Sequence, residues 1–566
     1  MKYNWNIKHE GEVADVVETL LNNRGIKDED RASFLNPDWE TGTHDPFLFT
    51  RMQEAVDRLF LALEQGEKIV IHGDYDADGM SGATLLFTAI TEVAEKLNFK
   101  LDLSVFLPDR EKDGYGVAKH TVEKFIANGV QLIVTVDCGI ANADEFDLAK
   151  DAGIDVIICD HHQLGVRLPT HAYIIHPLAP GETYPNKHLC GTGVAFKFVS
   201  ALIIEARKRG ADLPEGYEKW FLDLVAIATV TDVMPLHGEN RVLEKFGLKV
   251  LNKTRRLGIQ QIMHFAGSEQ GQVDTQTIGF QIGPRINAAG RIKHASVGFN
   301  ALSATNIIDA EKFAGELELL NRDRQTISRA AAAEAKKMVE DRKSSEPILV
   351  VWNDSWNPGI VGLVAGKLVS TFGVPAFALT KVGDKYVGSG RSVGGLNLVE
   401  AMRSCGDIFI KAGGHPQACG LSIESEELLK EFQTKVVKYG KEYFGAEAPK
   451  PVTDIDFVLP LEKMTRELFT DLQKLEPYGE GNKPPVFVAQ NLKVLIAETI
   501  GKTKTHLRLS VTTPNGKTAK MVGFSLGDFA SELNAGDMVD VAYEIVENEW
   551  NGNITLEGRV VDIKVL

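Results

Sequence analysis

The sequence predicts an α/β protein in which two α/β lobes are joined by a long helix and followed by an all-β domain. From residue 51 short apolar strands alternate with helical patterns, and a second such region begins at Pro347. Residues 308–342 carry an unbroken helical pattern with charges spread along it. From about residue 452 the pattern changes to short runs of period two. Alternating strands and helices predict a parallel sheet covered on both faces, and many short strands predict a small barrel, first of all an OB-fold.

The chain has 566 residues, which is too long for one core and predicts three or four domains. The patterns divide it into an N-terminal segment expected to pack on the first lobe (1–50), the first lobe (51–305), a connecting helix (306–345), the second lobe (346–447) and the barrel (452–566). The stretch AEAPKPVT at 446–453 is typical of a linker.

The composition is that of a globular protein, with 44% apolar and 25% charged residues. Five cysteines without a C-x-x-C pair argue against a disulfide framework and a structural zinc site. The N-terminus, MKYNWNIKHE, lacks the apolar core of a signal peptide, and we find no apolar stretch of about 18 residues. We therefore expect a reduced, cytoplasmic location and no membrane span.

The net charge of −16 does not by itself suggest a nucleic-acid binder. The distribution is more informative, because residues 241–345 carry 17 basic and 11 acidic side chains whereas residues 1–50 carry 5 and 10. A basic middle in an acidic chain is consistent with a recessed phosphate-binding channel. It is equally consistent with a solvated helical face, and charge alone leaves both interpretations open.

The clearest chemical motif is HGDYDADG at residues 72–79, which places one His and three Asp at the end of an apolar strand. Carboxylates this close repel one another unless a cation neutralises them. An EF-hand loop that begins at Asp74 would need a Glu at its twelfth position, and Leu85 stands there instead. A solvated acidic loop is the other alternative, and the matching motifs elsewhere in the chain count against it.

Three further motifs have the same character. Asp137 and the run Asp160-His161-His162 each follow an apolar strand, and Asp232 ends an apolar run. In open α/β sheets ligands bind at the carboxyl ends of the strands, so these side chains should converge on one rim. A mixed set of carboxylates and imidazoles suits Mg²⁺ and, more so, Mn²⁺ or heavier ions. Two such ions can activate a water molecule and clamp a phosphoryl group.

In this order, the motifs resemble the DHH phosphoesterase superfamily, named for Asp160-His161-His162, and within it the RecJ family of single-strand-specific exonucleases. The resemblance covers nearly the whole chain. The matching motifs are GDYDADG (73–79), DREKDGYG (109–116), VDCGI (136–140), DHH (160–162), CGTGVAFKF (190–198), ATVTDVMPL (228–236), GPRINAAGR (283–291), WNPGIVGLVAGKL (356–368), GSGRS (388–392), GGHPQACG (413–420) and EPYGEGNKPPVF (476–487).

The resemblance implies a two-ion site that holds Mn²⁺ or Mg²⁺. Its expected ligands are His72, Asp74, Asp76, Asp137, His161 and Asp232. Within this set Asp137 would bridge the ions, and His162 would assist beside the scissile phosphate, so that Asp76, Asp137 and His162 are the expected catalytic residues.

The resemblance also implies the substrate contacts. The second lobe resembles the DHH-associated domain, whose Gly-Gly-His motif faces the metals, so His415 would contact a substrate phosphate. The residues that map onto the family's pocket for the DNA 5′ end are Arg110, Arg291, Ser389 and Arg391. Arginine forks suit phosphate oxygens, although for each Arg taken singly a surface ion pair is the alternative. Asn357 stands where many relatives have His, which is expected to weaken substrate binding rather than to remove the chemistry.

The implied function is a 5′→3′ exonuclease specific for single-stranded DNA, which hydrolyses phosphodiester bonds to release mononucleotides in DNA repair and recombination. The barrel would bind the incoming strand, with Lys502, Lys504, Arg508, Lys517 and Lys520 as candidate contacts. By resemblance alone, the protein would be a monomer that works with single-strand-binding protein and a RecQ-type helicase.

Two other functions remain as hypotheses. One is a DHH enzyme that acts on small substrates such as short oligonucleotides, cyclic dinucleotides or pyrophosphate. Such relatives generally lack the terminal barrel and much of the basic stretch at 241–345. The other is a non-catalytic DNA-binding scaffold, which should have lost one or more ligand positions, whereas all six are present here.

Overall fold

The computed structural model describes residues 4–342, 346–445, 452–502, 504–550 and 553–566. The chain forms two compact units, Met1–Asn36 with Pro449–Leu566, and Pro37–Ala448. The predicted linker at 446–453 lies mostly outside the described residues. No helix in the described part of the chain combines the length and the apolar character needed to cross a membrane.

The smaller unit begins with one strand and two short helices. They are β1 (Asn4–His9), α1 (Val16–Asn23) and α2 (Asp28–Leu35). Strand β1 pairs in parallel with the strand Val452–Val458. Leu20, Leu21 and Phe34 are buried in the same core as the barrel.

The prediction that residues 1–50 pack as one segment on the first lobe is therefore wrong for residues 4–36, whereas residues 37–50 do belong to the larger unit. The apolar side chains of α1 and α2 are buried against a barrel that lies more than four hundred positions along the chain. The other predicted limits, at residues 305, 345 and 447, stay predictions.

The first lobe contains a five-stranded sheet. Its strands are β2 (Lys68–His72), β3 (Asp102–Phe106), β4 (Leu132–Val136), β5 (Asp155–Cys159) and β6 (Tyr173–Ile175). The order is β3-β2-β4-β5-β6, and every pair is parallel. Alternate residues face two separate cores, with Ile69 and Ile71 in one and Val70 in the other. The prediction of a parallel sheet covered on both faces is confirmed.

Helices make up the rest of this lobe. They are α3 (Trp39–Gly42), α4 (Met52–Gln65), α5 (Ala77–Lys96), α6 (Lys119–Ala127), α7 (Ala143–Asp151), α8 (Gly191–Lys208), α9 (Leu222–Thr231), α10 (Gly238–Leu251), α11 (Leu257–Ala266), α12 (Thr275–Thr277), α13 (Gly283–Ile292) and α14 (Ser296–Leu302), with 3₁₀ turns at Pro46–Leu48 and Tyr217–Phe221 and a π-helical turn at Ile278–Ile282. Helix α15 (Ile307–Asp341) then connects the lobes as a single 35-residue helix.

The second lobe is built on a mixed sheet. Its elements are β7 (Leu349–Trp352), a 3₁₀ turn (Pro358–Ile360), α16 (Val361–Phe372), β8 (Ala376–Val382), β9 (Lys385–Arg391), α17 (Leu398–Arg403), β10 (Phe409–His415), β11 (Ala418–Ile423) and α18 (Glu426–Phe444). The order is β10-β11-β9-β8-β7, in which only β7 and β8 pair in parallel. The Gly-Gly-His motif forms the end of the exposed edge strand β10.

The C-terminal barrel closes on itself. Its elements are β12 (Val452–Val458), a 3₁₀ turn (Leu461–Lys463), α19 (Arg466–Gln473), β13 (Phe487–Ile500), β14 (His506–Thr512), β15 (Thr518–Gly523), α20 (Phe529–Glu532), β16 (Met538–Trp550) and β17 (Asn553–Val565). The five strands β13-β14-β15-β17-β16 form a ring, because β16 also pairs with β13. The predicted OB-fold is confirmed.

Candidate active site

The acidic loop after β2 is held by the start of α5. Asp76 is the N-cap of this helix, and its Oδ1 accepts hydrogen bonds from the backbone N–H of Asp78 (3.0 Å) and of Gly79 (3.1 Å). An N-cap carboxylate satisfies amides that have no partner inside the helix. A Cβ at Gly79 would lie 2.5 Å from the backbone nitrogen of Asp74, so this tight turn requires glycine. The loop therefore presents Asp74 and Asp76 in a fixed arrangement.

Asp137 follows β4 in a strained conformation. Its φ of 62° lies in the left-handed region, which few residues other than glycine adopt. The N-terminus of α8 packs directly on it, since a Cβ at Gly191 would lie 2.6 Å from the Cβ of Asp137. Strain of this kind is found where the surrounding structure holds a functional side chain in place.

Asp160 organises the histidine pair that follows β5. Its Oδ1 accepts from the backbone N–H groups of His161 (2.7 Å) and His162 (3.1 Å), and its Oδ2 accepts from that of Ile140 (3.0 Å). The Nδ1 of His162 lies 2.9 Å from the same Oδ1. Although burial opposes ionisation, the hydrogen bond with His162 and the nearby imidazoles hold the pKa of Asp160 well below its usual range.

The predicted metal ligands converge on one rim of the sheet. The Nε2 of His161 lies 3.2 Å from Oδ1 of Asp137 and 3.4 Å from Oδ2 of Asp232. Carboxylate oxygens of Asp74, Asp76 and Asp137 lie within 4.8 Å of one another. His72, the last residue of β2, is fully buried. Five of the six predicted ligands are thus shown to lie close to one another, and His72 lies two residues before Asp74 on the same rim.

The buried polar atoms at this rim lack hydrogen-bond partners among the described residues. They are Nε2 of His72, Oδ1 of Asp74, Oδ1 of Asp137, Nε2 of His161 and Oδ2 of Asp232. The close approaches of His161 to the carboxylates therefore lack hydrogen-bond geometry. Buried polar groups without partners are rare in folded proteins and require an explanation. Oxygen and imidazole nitrogen atoms are also the donors that Mg²⁺ and Mn²⁺ accept, so the residues fit divalent cations.

The protonation behaviour of the carboxyls supports the same interpretation. Burial raises the pKa of Asp74 to about 8, with repulsion from Asp76 as a further cause. Burial, together with the charges of Asp78 and Asp76, raises the pKa of both Asp137 and Asp232 well above the usual range. Divalent cations at the rim would remove this repulsion and allow the carboxylates to ionise.

Asp78 is also buried at this site. It is part of the HGDYDADG motif, but no role was predicted for it from the sequence. Its two oxygens accept from the backbone N–H groups of Gly191 (2.8 Å) and Thr192 (2.7 Å) at the start of α8. One oxygen also lies 3.9 Å from Nε2 of His161. Asp78 fixes α8 against the acidic loop, and only its place as the third Asp of the motif hinted at this.

Asp232 reaches the site from a helix rather than from a strand. The apolar run before it forms α9, which is buried on nearly all sides, and Asp232 is its C-cap residue. The next residue, Val233, has a φ of 58°, so the chain turns sharply after the helix. The oxygen that faces His161 is one of the buried atoms without a partner.

His415 of the second lobe faces His162 of the first. The two ring centroids lie 6.0 Å apart. Burial and the neighbouring His162 lower the pKa of His415. The Gly-Gly-His motif of the second lobe therefore lies close to the histidine pair of the first.

The four residues predicted to bind the DNA 5′ end form a basic cluster. The Arg110 guanidinium lies 4.2 Å above the ring of Tyr75, and Nη1 of Arg291 donates to the carbonyl of Gly359 (3.1 Å). Burial and repulsion from Arg110 and Arg391 lower the pKa of Arg291 to about 9. A Cβ at Gly362 would lie 3.0 Å from Nη2 of Arg391 and 3.4 Å from Oγ of Ser389. Cations this close favour a bound anion.

Comparison with known proteins assigns the three parts of the chain. Residues 68–229 match the model of the DHH family, N-terminal domain, residues 345–442 match the DHHA1 domain, and residues 455–562 match the RecJ OB domain. The single-stranded-DNA-specific exonuclease RecJ of Salmonella typhimurium is 32% identical over 527 residues, which cover 90% of this chain and 90% of that protein. The chain belongs to the RecJ family.

Two further RecJ proteins agree with this assignment. The single-stranded-DNA-specific exonuclease RecJ of Bacillus subtilis is 35% identical over 541 residues, which cover 95% of this chain and 66%, just under two thirds, of that protein. The crystal structure of RecJ in complex with Mn²⁺ from Thermus thermophilus superposes with a TM-score of 0.82 at 28% identity, and the match covers 100% of this chain and 80% of that one. The predicted metal ligands other than Asp232 lie within the residues that match the DHH family, and His415 lies within the DHHA1 match.

Proposed function

We propose that this chain hydrolyses single-stranded DNA from its 5′ end with the help of two divalent cations. The proposal depends on the rim of carboxylates and imidazoles, in which five buried polar atoms lack hydrogen-bond partners among the described residues. Members of the RecJ family are named single-stranded-DNA-specific exonucleases, and the relative from Thermus thermophilus binds Mn²⁺. The products would be mononucleotides, and the pathways DNA repair and recombination.

The proposed ligands divide into two sets that share Asp137. Asp76, Asp137, His161 and Asp232 would hold one Mn²⁺ or Mg²⁺ ion, and His72, Asp74 and Asp137 would hold the other. When bound, such ions supply an activated water and neutralise charge that develops on the phosphoryl oxygens. Asp78 would keep its two backbone hydrogen bonds and act as a support for α8 rather than as a ligand.

His162 is proposed to act on the substrate directly. The contact of its Nδ1 with Asp160 fixes the ring and leaves Nε2 as the nitrogen that can exchange a proton with the leaving oxygen. His415 would approach the same phosphate from the second lobe, since the two rings lie 6.0 Å apart. A strand held between these rings has the scissile phosphate next to the metal ligands.

The basic cluster is proposed to define which end of the strand is cut. Arg110, Arg291 and Arg391 repel one another, and a terminal phosphate would balance their charges. With Ser389 beside Arg391, the cluster offers guanidinium and hydroxyl donors to phosphate oxygens. A pocket that closes around a 5′ phosphate requires a free end, which makes the enzyme an exonuclease with 5′→3′ polarity.

The barrel is proposed to bind the incoming strand, as its match to the RecJ OB domain suggests. This match also distinguishes the chain from the small-substrate DHH enzymes considered above, which generally lack a barrel. Two candidate contacts are already engaged within the barrel unit, because Arg508 pairs with Glu498 and the Nζ of Lys517 donates to the carbonyl of Leu461 (2.7 Å). The other three lysines stay as candidates.

The finer biological setting is part of the same proposal. We infer by family resemblance that the protein is a cytoplasmic monomer that acts with single-strand-binding protein and a RecQ-type helicase. Digestion of a strand coated with single-strand-binding protein, compared with a naked strand, tests the first partnership. If the coated strand is digested more slowly than the naked strand, and only to the extent that the coat makes its DNA inaccessible, the partnership is contradicted.

Digestion of end-labelled DNA tests the proposed activity. Single and double strands labelled at either end are incubated with Mn²⁺, with Mg²⁺ or with EDTA. We expect mononucleotides from the 5′ end of single strands, and no products with EDTA. Asp137→Asn should be inactive, whereas Asp151→Asn, an exposed residue at the end of α7, should match the wild type. Cleavage in EDTA, or cleavage from the 3′ end, would refute the proposal.

A further inference from the structure

A groove between the connecting helix α15 and helix α16 has the chemistry of a second anion site. Its volume is about 400 Å³, which is within the range of small-molecule pockets. Along α15 its wall is formed by side chains spaced four residues apart, among them Arg324, Ser328 and Lys336. Such a spacing places them on one face of the helix. Leu363 and Lys367 form the opposite wall on α16.

The groove is strongly cationic. Arg324, Arg329, Lys336 and Lys367 line it, and none of the described residues that line it is acidic. The Nζ of Lys336 lies 3.6 Å from a carboxylate oxygen of Glu340, which does not line the groove. Four cations around one cavity repel one another. A bound anion would attract all four and so offset this electrostatic repulsion.

Two buried polar atoms in the groove have no partner among the described residues. They are Nε of Arg324 and Oγ of Ser328. The other end of the Arg324 guanidinium is fixed, because Nη2 donates to Oδ1 of Asn321 (2.8 Å). A serine inside a helix usually donates to the carbonyl four residues earlier, and Ser328 does not. Both groups can donate a hydrogen bond to an oxyanion.

The rest of the lining is apolar. Ala332 and Ala333 on α15, and Leu363 and Leu368 on α16, contribute a wall without hydrogen-bonding side chains. Ligand pockets usually combine such a surface with a few polar groups that fix orientation. A ligand with both an anionic group and a flat apolar part matches the two halves of this lining.

The groove is distinct from the basic cluster proposed for the 5′ end. Gly362 and Gly366 of α16 face Arg391, whose atoms would lie 3.0 Å and 3.9 Å from a Cβ at these positions. Leu363 and Lys367 follow one position later and so point about 100° away, towards α15. The two sites are still electrostatic neighbours, because Arg324 is among the charges that, after burial, lower the pKa of Arg291.

We propose that this groove is a second phosphate-binding site, which takes a phosphate-bearing ligand of mononucleotide size. The phosphate would lie among the four cations and accept hydrogen bonds from Arg324 and Ser328, while the sugar and base would lie against the apolar wall. This chemistry has two sources around an enzyme that degrades DNA, the free mononucleotide and a phosphate of the strand itself. Only the choice between these sources rests on the proposed function.

Equilibrium dialysis of dAMP against the full-length protein in EDTA tests the site without turnover. The informative variant is K336Q/K367Q, which removes two exposed cations of the groove. The matched control is K312Q/K337Q, which removes two exposed lysines of α15 that do not line it. Both are made in an R391Q background, so that binding at the proposed 5′ pocket is weakened equally in each. We expect the affinity for dAMP to fall about tenfold in K336Q/K367Q and to stay unchanged in the control.

The same proteins are titrated with a fluorescent oligo(dT) to separate the two sources. Loss of oligo(dT) affinity in K336Q/K367Q but not in the control, without measurable binding of dAMP, would assign the groove to a phosphate of the strand. Equal behaviour of the two double variants towards both probes would overturn the proposal. Because every measurement is made without divalent ions, its result does not depend on whether the chain is an exonuclease.

Discussion

The Sγ atom of Cys138 lies 3.5 Å from Nδ1 of His72, and both side chains are fully buried behind the acidic rim. The same sulfur lies 3.5 Å from the carbonyl oxygen of Val136, to which the thiol can donate. In that arrangement the sulfur accepts Nδ1–H from His72. The unprotonated nitrogen is then Nε2, the atom that has no partner among the described residues. Cys138 would thereby hold His72 in the orientation that its proposed role as a metal ligand requires.

Cys138→Ala should weaken the binding of Mn²⁺. Loss of the sulfur frees the His72 ring to rotate and to change tautomer, and loss of such supporting contacts typically costs about 10- to 100-fold in metal affinity. We expect about a tenfold effect, measured as free Mn²⁺ by electron paramagnetic resonance. Cys405→Ala, at a buried cysteine of the second lobe, is the control. Equal Mn²⁺ affinity in the two variants would show that Cys138 does not position His72.

Asp137→Asn should remove activity and, in the absence of metal, stabilise the fold. Activity should fall by roughly 10⁴-fold or more, the scale on which loss of a catalytic group acts. Burial and four neighbouring carboxyls oppose the charge on Asp137, so a neutral amide relieves repulsion in the metal-free protein. Thermal melting in EDTA should therefore give a higher Tm for the variant than for the wild type.

Thermal melting with added Mn²⁺ complements the melting experiment in EDTA. A ligand that binds only the folded state raises Tm, so Mn²⁺ should stabilise the wild type much more than Asp137→Asn. Asp151→Asn, at an exposed position, should respond to Mn²⁺ as the wild type does. If Mn²⁺ raised Tm equally in all three proteins, the assignment of Asp137 as a ligand would be wrong.

The convergence of the acidic motifs could be predicted from the sequence because it follows from topology. Parallel strands place their carboxyl ends on one edge, so Asp137 and Asp160 had to lie near the loop after His72. The approach of Asp232 was less predictable, since an apolar run without periodicity fits a buried helix as well as a strand. The basic cluster was expected only from family resemblance, because its members come from distant parts of both lobes.

Other structural features could not be predicted from local sequence patterns. The pairing of β1 with β12 places Asn4 opposite Val452, far along the chain, and nothing in a run of six residues indicates its partner. The role of Asp78 depends on the approach of α8, which a single sequence does not reveal. Local periodicity predicts elements, whereas contacts between distant elements depend on how the faces of those elements fit together.

Glu244→Gln should make the stability of the protein less dependent on pH. Glu244 is fully buried in α10, both of its oxygens lack partners among the described residues, and burial raises its pKa well above 4.5. A carboxyl whose pKa is higher in the folded than in the unfolded protein stabilises the fold at pH values below its pKa in the unfolded protein. This stabilisation is lost as the pH rises towards the pKa of the carboxyl in the folded protein. The loss amounts to about 1.4 kcal/mol for each pH unit between the two values.

Urea unfolding at pH 5 and at pH 8 checks this prediction. The variant should gain stability relative to the wild type at pH 8, and most of that gain should be absent at pH 5. Glu123→Gln, at an exposed position of α6, should leave the pH dependence of the wild type unchanged. A constant difference between Glu244→Gln and the wild type at the two pH values would mean that Glu244 ionises normally in the folded protein.

Arg391→Gln should reduce the preference for a strand with a 5′ phosphate. Arg391 lies with Arg291 and Arg110 in the basic cluster, and a charged hydrogen bond to phosphate is worth about 1.5–3 kcal/mol, or roughly 10- to 100-fold in binding. The measurement is the ratio of kcat/KM for 5′-phosphorylated and 5′-hydroxyl single strands, which should fall at least about tenfold towards unity. Arg403→Gln, at an exposed residue of α17, removes a charge from the same lobe and should keep the wild-type ratio. A ratio that survives in Arg391→Gln would place the 5′ end of the strand away from this cluster, and the polarity of the enzyme would need another structural cause.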